Sequence, residues 1–521
     1  MNGTSSSAVA VPARLPVPTP FTPRLAAGLS GVLLAVLVAS FNERVTDLNL
    51  SDLCGALGIG SDEGTWVTTW YAAFSVSAMA FAPWFSGTFS IRRFASIMAI
   101  ALAVLALLSP FMPDLESFII LRAFQGLAGG ALPPTLMTVA LRFLPAKFKI
   151  YGLGAYALTA TFGPNIALPL AALCFDHFGW RGVLWQPIPL SLISAALIWW
   201  GIPQDPLRLE RFRQFDWLGI LLGFPAIGML VVLLMQGDRL DWLNSDLICH
   251  LLVGSLLLFG LFVLNEWHHP SPFFRIQLLK SRELSFGLVA LTCVLTLAVA
   301  NLELPATYLA EIQDYRTTQL APIGLYLALP QLLTLPLVAA ICNTRRVDSR
   351  WVLCAGIALT AGSFWGISLI TSEWIRENFY LLQALQVLAQ PMIVIPVLVT
   401  ATMSLAPADG PFVSGMFNVT KGLSSAIATG FVGTVEAWRE HTHSNQIVDR
   451  YGSIRSTVSG FDTRVGDLLK LSGTIKEQAI VLTIADVSLM MVGVAGLLFI
   501  LTILLPARVY PPSPPQAVAT R

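Results

Sequence analysis

Charge is scarce in this sequence. Lysine, arginine, aspartate and glutamate make up 12% of its 521 residues, about half the share usual in a soluble globular domain. The little there is nearly cancels, with 31 basic against 30 acidic residues and a net charge of +1. That excludes the strongly basic character of a nucleic-acid-binding protein. Cysteine is sparse too. Cys54, Cys174, Cys249, Cys293, Cys342 and Cys354 stand singly with no CxxC among them, so spacing supports neither a disulfide framework nor a metal site. His268-His269 and His441-x-His443 have no further ligands nearby in the sequence, and no HExxH, Walker A or nucleophile elbow occurs. No metal or cofactor is expected. The first 22 residues, rich in Pro and Ser, contain no short apolar segment with a cleavage site. The first apolar run therefore reads as a retained helix and not as a secretory signal.

What is abundant is apolar. Hydrophobic residues make up 55% of the chain and the mean hydropathy is +0.71. Runs long enough to cross a bilayer recur from end to end, and we place about fourteen helices. The fold class expected is an all-α integral membrane protein. The connections are mostly short, leaving no room for a soluble catalytic domain. Six helices are expected over 24–201, two over 215–266 and six over 284–505, with an outward loop at 438–479. Residues 1–23 and 506–521 form the tails.

One stretch recurs. FIILRAFQGLAGGALPPTLMTVALRFLP at 118–145 returns as FYLLQALQVLAQPMIVIPVLVTATMSLAP from Phe379, with Gln383 beneath Arg122 at a shift of 261. RRFASIMAIAL at 92–102 returns as SRWVLCAGIAL at 349–359, at a shift of 257. Two matches at nearly one offset indicate a duplicated six-helix unit, which leaves the helices of 215–266 without counterparts. Two such halves with a site between them are the plan of a secondary transporter. Basic residues set the orientation. Arg92, Arg93, Arg142, Lys147, Arg208, Arg211, Arg345, Arg346 and Arg508 cluster on one side, against Arg181, Arg239, Arg316 and Arg376 in the short loops opposite. Both termini are expected in the cytoplasm.

At these residues the chain resembles the major facilitator superfamily drug:proton antiporters of the 14-helix, EmrB/QacA-like branch. LRAFQGLAGG at 121–130 is similar to that superfamily's fourth-helix motif, with Gly126 a packing position. GTW at 64–66, WRGVLWQPIP at 180–189, FDWLG at 215–219, GDRLDW at 237–242, LLKSREL at 278–284 and SGMFNVTKGL at 414–423 match positions shared within the branch. The resemblance spans roughly 24–505 and implies a major facilitator fold and proton-driven export. It also implies a periplasmic adaptor and a TolC-like outer-membrane channel as partners. Two departures stand out. The family's first-helix Asp is Asn42 here, within FNERVTDLNLS, which adds Glu43, Arg44 and Asp47. The fifth-helix antiporter motif is reduced to GPNIALPLAA at 163–172, keeping Gly163 and Pro164.

Charges at membrane depth are costly and mark candidate sites. For proton coupling these are Glu43, Glu303, Arg122 and Asp47. A cavity for substrate is expected to draw on Asn42, Arg44, Gln125, Phe74, Trp70, Asn301 and Lys421. Asn301-x-Glu303 falls opposite Asn42-Glu43 at the two-fold offset. Competing with this, Arg44 and Asp47 could neutralise one another at a solvated mouth, and Lys421 could snorkel to the interface. Trp66, Trp70 and Phe74 share one helix face at i, i+4 and i+8, which also suits lipid or helix packing. The reading is proton-coupled export of hydrophobic, drug-like organic compounds across a bacterial inner membrane, with lipid as the surround. The alternatives are a metabolite or siderophore exporter, an inward symporter or a non-transporting sensor of the same fold. A membrane-embedded enzyme is disfavoured by the lack of clustered catalytic side chains.

Overall fold

A computed structural model describes residues 22–144, 149–344, 347–403, 409–457 and 465–505. The tails expected at 1–23 and 506–521 fall almost wholly outside these residues, as do Lys147, Arg345, Arg346 and Arg508 of the orientation argument. The described residues form helices joined by short turns, with no strand among them. The first half comprises α1 (Pro23–Leu48), α2 (Leu50–Leu57), α3 (Ser61–Phe89), α4 (Ile91–Leu108), α5 (Leu115–Gly130), α6 (Pro133–Phe143), α7 (Lys149–Trp185) and α8 (Pro187–Gly201). Between the halves lie α9 (Trp217–Gln236) and α10 (Asp246–His268). The second half comprises α11 (Arg282–Glu311), α12 (Thr317–Asn343), α13 (Ser349–Ile367), α14 (Arg376–Met403), α15 (Gly410–Thr457) and α16 (Val465–Ile503).

Local sequence explains where these helices begin and break. Thr22 caps α1 by accepting from the Leu25 amide at 3.2 Å, and Asp114 caps α5 by accepting from the Ser117 amide at 3.1 Å. Each satisfies a first-turn donor that has no partner within the helix. The apolar run from Leu115 to Phe143 is two helices, because Pro133 and Pro134 cannot donate to the preceding turn and instead start α6. Within α7 the chain turns at Gly179, whose φ of 64° suits a residue without a Cβ.

Eleven of the described helices are long and apolar enough to cross a membrane, counting α5 and α6 as one. The shortfall from about fourteen has a physical basis. α8 is apolar but only 15 residues long. The sequence of α3 is rich in Ser, Thr and Trp, and that of α15 carries a charged C-terminal half. All three nevertheless pack among the others. Exposed leucines and aromatics such as Leu256, Leu257, Leu261 and Trp267 line α10. Such a surface is expected against lipid and not against water.

The packing repeats with the sequence. In the first half α1 lies against α7 and α8, and α4 against α5 and α8. In the second, α11 lies against α15 and α16, and α13 against α14 and α16. The halves meet along two seams, α3 on α15 and α7 on α12, which exchange under the same correspondence. α9 packs on both α3 and α15, with α10 outside it. An aromatic cluster fixes the pair there, with Phe81 and Phe273 centroids 4.8 Å apart and Trp84 and Phe215 4.7 Å apart.

The loop expected over 438–479 is largely helical. α15 continues to Thr457 and α16 begins at Val465. With 48 residues, α15 is roughly 70 Å long, against a hydrocarbon core of about 30 Å.

Candidate functional site: a charged cavity between the halves

A cavity of about 200 Å³ opens between the halves. α1, α3, α5 and α7 line it from one side, α11, α14 and α15 from the other, and α9 contributes Val231 and Met235. Its charged lining is Glu43, Asp47 and Glu303 against Arg44, Arg122 and Lys421. Three acids and three bases leave it with no dominant sign.

The α1 charges lie on one helix face, with Arg44 Nη1 3.7 Å from Asp47 Oδ2. Asp47 is exposed and Arg44 half-buried, so this pair is solvated and adds little stability. Arg44 and Glu303 line the same cavity from opposite halves. The repeat places Glu303 opposite Glu43, and the structure adds Arg44 to the same cavity.

Arg122 is fully buried. Its Nη1 donates to Gln125 Oε1 at 2.7 Å and to Asn42 Oδ1 at 3.4 Å, and its guanidinium lies 4.4 Å from the Tyr71 ring centroid. Its Nε and Nη2 have no hydrogen-bond partner among the described residues. No carboxylate there pairs with it. The brace behind it is built from amides and a hydroxyl, Asn42 Nδ2 donating to Gln125 Oε1 at 3.4 Å and Gln125 Nε2 to Ser109 Oγ at 2.7 Å. Tyr71 is held in turn by donating to the Ala39 carbonyl at 3.0 Å. Close approach of α5 to α3 makes this possible. A Cβ on Gly126 would stand 2.1 Å from the Tyr71 carbonyl oxygen, and one on Gly130 2.1 Å from that of Ser75. Glycines four apart thus receive carbonyls four apart.

The second half repeats the brace without the charge. Asn301 Nδ2 donates to Gln383 Oε1 at 3.1 Å, and Gln383 Nε2 returns to the Asn301 carbonyl at 3.4 Å. Asn42 with Arg122 and Asn301 with Gln383 are therefore equivalent pairs. The asymmetry between the halves is one buried cation.

The residues named from sequence separate into three groups. Glu43, Arg44, Asp47, Arg122, Glu303, Lys421 and Pro164 line the cavity. Asn42, Gln125 and Asn301 are buried behind its wall and hold the groups that do. They are not among the residues that line the cavity. Trp70 and Phe74 do not line it. Trp70 is exposed on the outer surface, and the Phe74 ring packs 5.3 Å from Phe224 of α9. Gly163 lies against Ser40 of α1, with its Cβ position 3.3 Å from Ser40 Oγ.

Other buried polar residues, some lining the cavity and some beyond it, escaped sequence reading. Tyr71 lies under Arg122, and Asn165 Nδ2 reaches Gln390 Oε1 across the halves at 3.4 Å, where Gln331 Nε2 also donates at 2.7 Å. Tyr156 donates to Asn418 Oδ1 at 2.9 Å across the α7–α15 contact, beneath Lys421, whose Nζ is 5.6 Å from its ring centroid. Single neutral amides and tyrosines carry no periodic or charge signal. Glu436 of α15 did carry one. It is an acid near the end of an apolar stretch, and its Oε1 is buried without a hydrogen-bond partner among the described residues.

A bilayer-spanning duplication with a charged, braced cavity on its two-fold seam defines a secondary transporter, not an enzyme. Residues 32–429 match the model of the Major Facilitator Superfamily, and the chain belongs to that family. The relatives it matches include multidrug export proteins. It is 24% identical to the multidrug export protein EmrB of Haemophilus influenzae over 439 residues, 82% of this chain and 84% of that one. It is 23% identical to the fatty acid resistance protein FarB of Neisseria gonorrhoeae, over 84% of this chain and 87% of that one. Identity to the multidrug export protein EmrB of Escherichia coli K12 is 22%, over 80% and 81%. Among solved structures, the human organic anion transporter MFSD10 (TETRAN) has the same fold. Its TM-score is 0.56 at 10% identity, covering 91% of this chain and all of that one. A bacterial homologue of the lysosomal transporter Spinster, inward-facing and unoccupied, gives 0.55 at 11%, covering 93% and 98%.

Proposed function

We propose that this protein exports hydrophobic, drug-like organic molecules across the bacterial inner membrane in exchange for protons. The observation that carries the reading is the pair of carboxyls Glu43 and Glu303, one from each half, lining one cavity with Arg44, Arg122 and Lys421. Asn42 cannot titrate, so proton movement needs another acid, and Glu43 is its neighbour in the chain. Glu303 is the partner across the halves. Protonating either removes a negative charge from the cavity that also holds Arg44, Arg122 and Lys421. Such a change biases an equilibrium between two arrangements of the halves wherever the attraction differs between them. A lining balanced in sign, with apolar Val36, Val76 and Val231, suits neutral or weakly charged cargo. Arg44 and Lys421 would accommodate an amphipathic anion, and a fatty acid resistance protein is among the relatives.

Both termini lie in the cytoplasm on this reading, and the α15–α16 extension faces the periplasm. It is then the surface for a periplasmic adaptor leading to a TolC-like channel.

The test is transport into inside-out vesicles under an imposed pH gradient, with Glu43→Gln and Glu303→Gln at matched protein levels. Substrate-induced proton release should vanish in at least one variant while substrate binding persists. Normal pH-driven transport in both would remove these acids from the mechanism.

A further inference from the structure

A second cavity, of about 680 Å³, lies apart from the charged one and shares no lining residue with it. It falls between α3, α4 and the α5–α6 segment on one side and α9 with its preceding residues on the other. Phe85, Phe94, Ile97, Leu209, Ile220 and Phe224 are among its walls, and Arg93 is its one charged residue. Ile97 and Leu209 are exposed, so the mouth opens on the perimeter of the helix bundle, where acyl chains run.

Its rim is basic. Arg93 has no hydrogen-bond, ion-pair or ring partner among the described residues, whereas Arg92 lies over the Trp199 ring, 4.5 Å from its centroid. Arg208 and Arg211 belong to the segment that supplies Leu207 and Leu209, and the Arg208 amide ties it to the Thr88 carbonyl at 3.0 Å. Arg211 is pushed below the usual guanidinium range by burial and by Arg208 beside it. An anion placed here relieves that repulsion.

An apolar slot open to the bilayer side, with an unpartnered arginine at one end, fits a membrane phospholipid. We infer that this cavity binds one anionic phospholipid, an acyl chain lying between α4 and α9 and the headgroup phosphate on Arg93. The volume is within the roughly 300–1,000 Å³ of ordinary ligand pockets, and a guanidinium is suited to phosphate. The site exists only because α9 is present, so it belongs to the inserted helix pair and not to the duplicated halves. Through α9, which carries Ile220 and Phe224 here and Val231 and Met235 in the charged cavity, the lipid reaches the transport site.

The experiment is native mass spectrometry of the purified full-length protein after delipidation and incubation with equal phosphatidylglycerol and phosphatidylcholine. One phosphatidylglycerol should remain per chain. Arg93→Gln should lower the preference for phosphatidylglycerol by about tenfold. Ile97→Trp, which fills the mouth from the lipid side, should abolish retention while the protein stays monodisperse with an unchanged unfolding midpoint. Equal retention of the two lipids by the unaltered protein would overturn the inference. So would persistence of the lipid in Ile97→Trp, or its displacement by a transported drug at the concentration that half-saturates transport.

Discussion

Arg122 is where the chemistry of single residues is most sharply defined. A buried guanidinium needs partners, because an unpaired charge away from water is expensive. Here Gln125, Asn42 and the Tyr71 ring meet part of that need, and Nε and Nη2 remain unmet. The family resemblance implies an Asp at the position of Asn42, and an Asp there would sit against Nη1. We therefore expect that Asn42→Asp, introduced into the Glu43→Gln protein, restores pH-driven transport. Vesicle uptake against imposed pH gradients measures this, and a double variant as inactive as Glu43→Gln alone would disprove it. The glycines beside Arg122 make a separate prediction about stability. Gly126→Val must displace backbone at Tyr71, and overpacking of this kind costs about 1–3 kcal/mol. Its unfolding midpoint in detergent should fall clearly below that of Gly260→Ala, since a Cβ at Gly260 meets nothing within 4 Å. Equal midpoints would mean that α3 and α5 separate at little cost.

At the scale of helices, what was legible in the sequence was whatever carries charge or repeats. Glu43, Arg122 and Glu303 stood out because ionisable groups at membrane depth are rare, and they do meet in one cavity. The duplication was legible because one offset served two helices, and the pairing of α3–α15 with α7–α12 follows it. Trp70 and Phe74 were misplaced for a specific reason. Spacing of i, i+4 fixes which residues share a face but not which helix covers it, and α9 takes the Phe74 side of α3. The braces at Gln390 and Asn418 were not legible, because a lone amide looks the same in a loop, a core or a cavity. The helical continuation of α15 past the membrane was missed because its composition resembles a loop. Orientation rests on the charge bias and invites a direct measurement. Single cysteines near 210 and 278 should resist a membrane-impermeant maleimide added outside, and those near 240 and 455 should react. Reaction at 210 from outside would reverse the orientation.

For the molecule as a whole, export requires that the seams between the halves open and close in turn, since a cavity open to both sides would dissipate the gradient. The α7–α12 seam is closed beside the charged cavity and again at one of its ends. Beside the cavity, which Asn165 lines, a Cβ on Gly324 would stand 2.5 Å from the Asn165 carbonyl oxygen, backbone against backbone. At the end where α7 begins and α12 ends, a Cβ on Gly154 would stand 3.5 Å from Ala339 Cβ. That separation lies within the range of roughly 3.5–4.5 Å that a disulfide spans. Cysteines at both positions, in a protein with Cys54, Cys174, Cys249, Cys293, Cys342 and Cys354 replaced by serine or alanine, should therefore cross-link under mild oxidation. On the proposed orientation this end is cytoplasmic, so the bond holds shut the gate through which cargo enters. Uptake into inside-out vesicles should stop on oxidation and return on reduction, while either single cysteine leaves it intact. The Gly154 and Ala339 positions are remote from Glu43 and Glu303 in sequence and line neither cavity, so lost transport would report restrained movement and not lost chemistry. Full transport in the cross-linked protein would mean that the two halves work without parting at this seam.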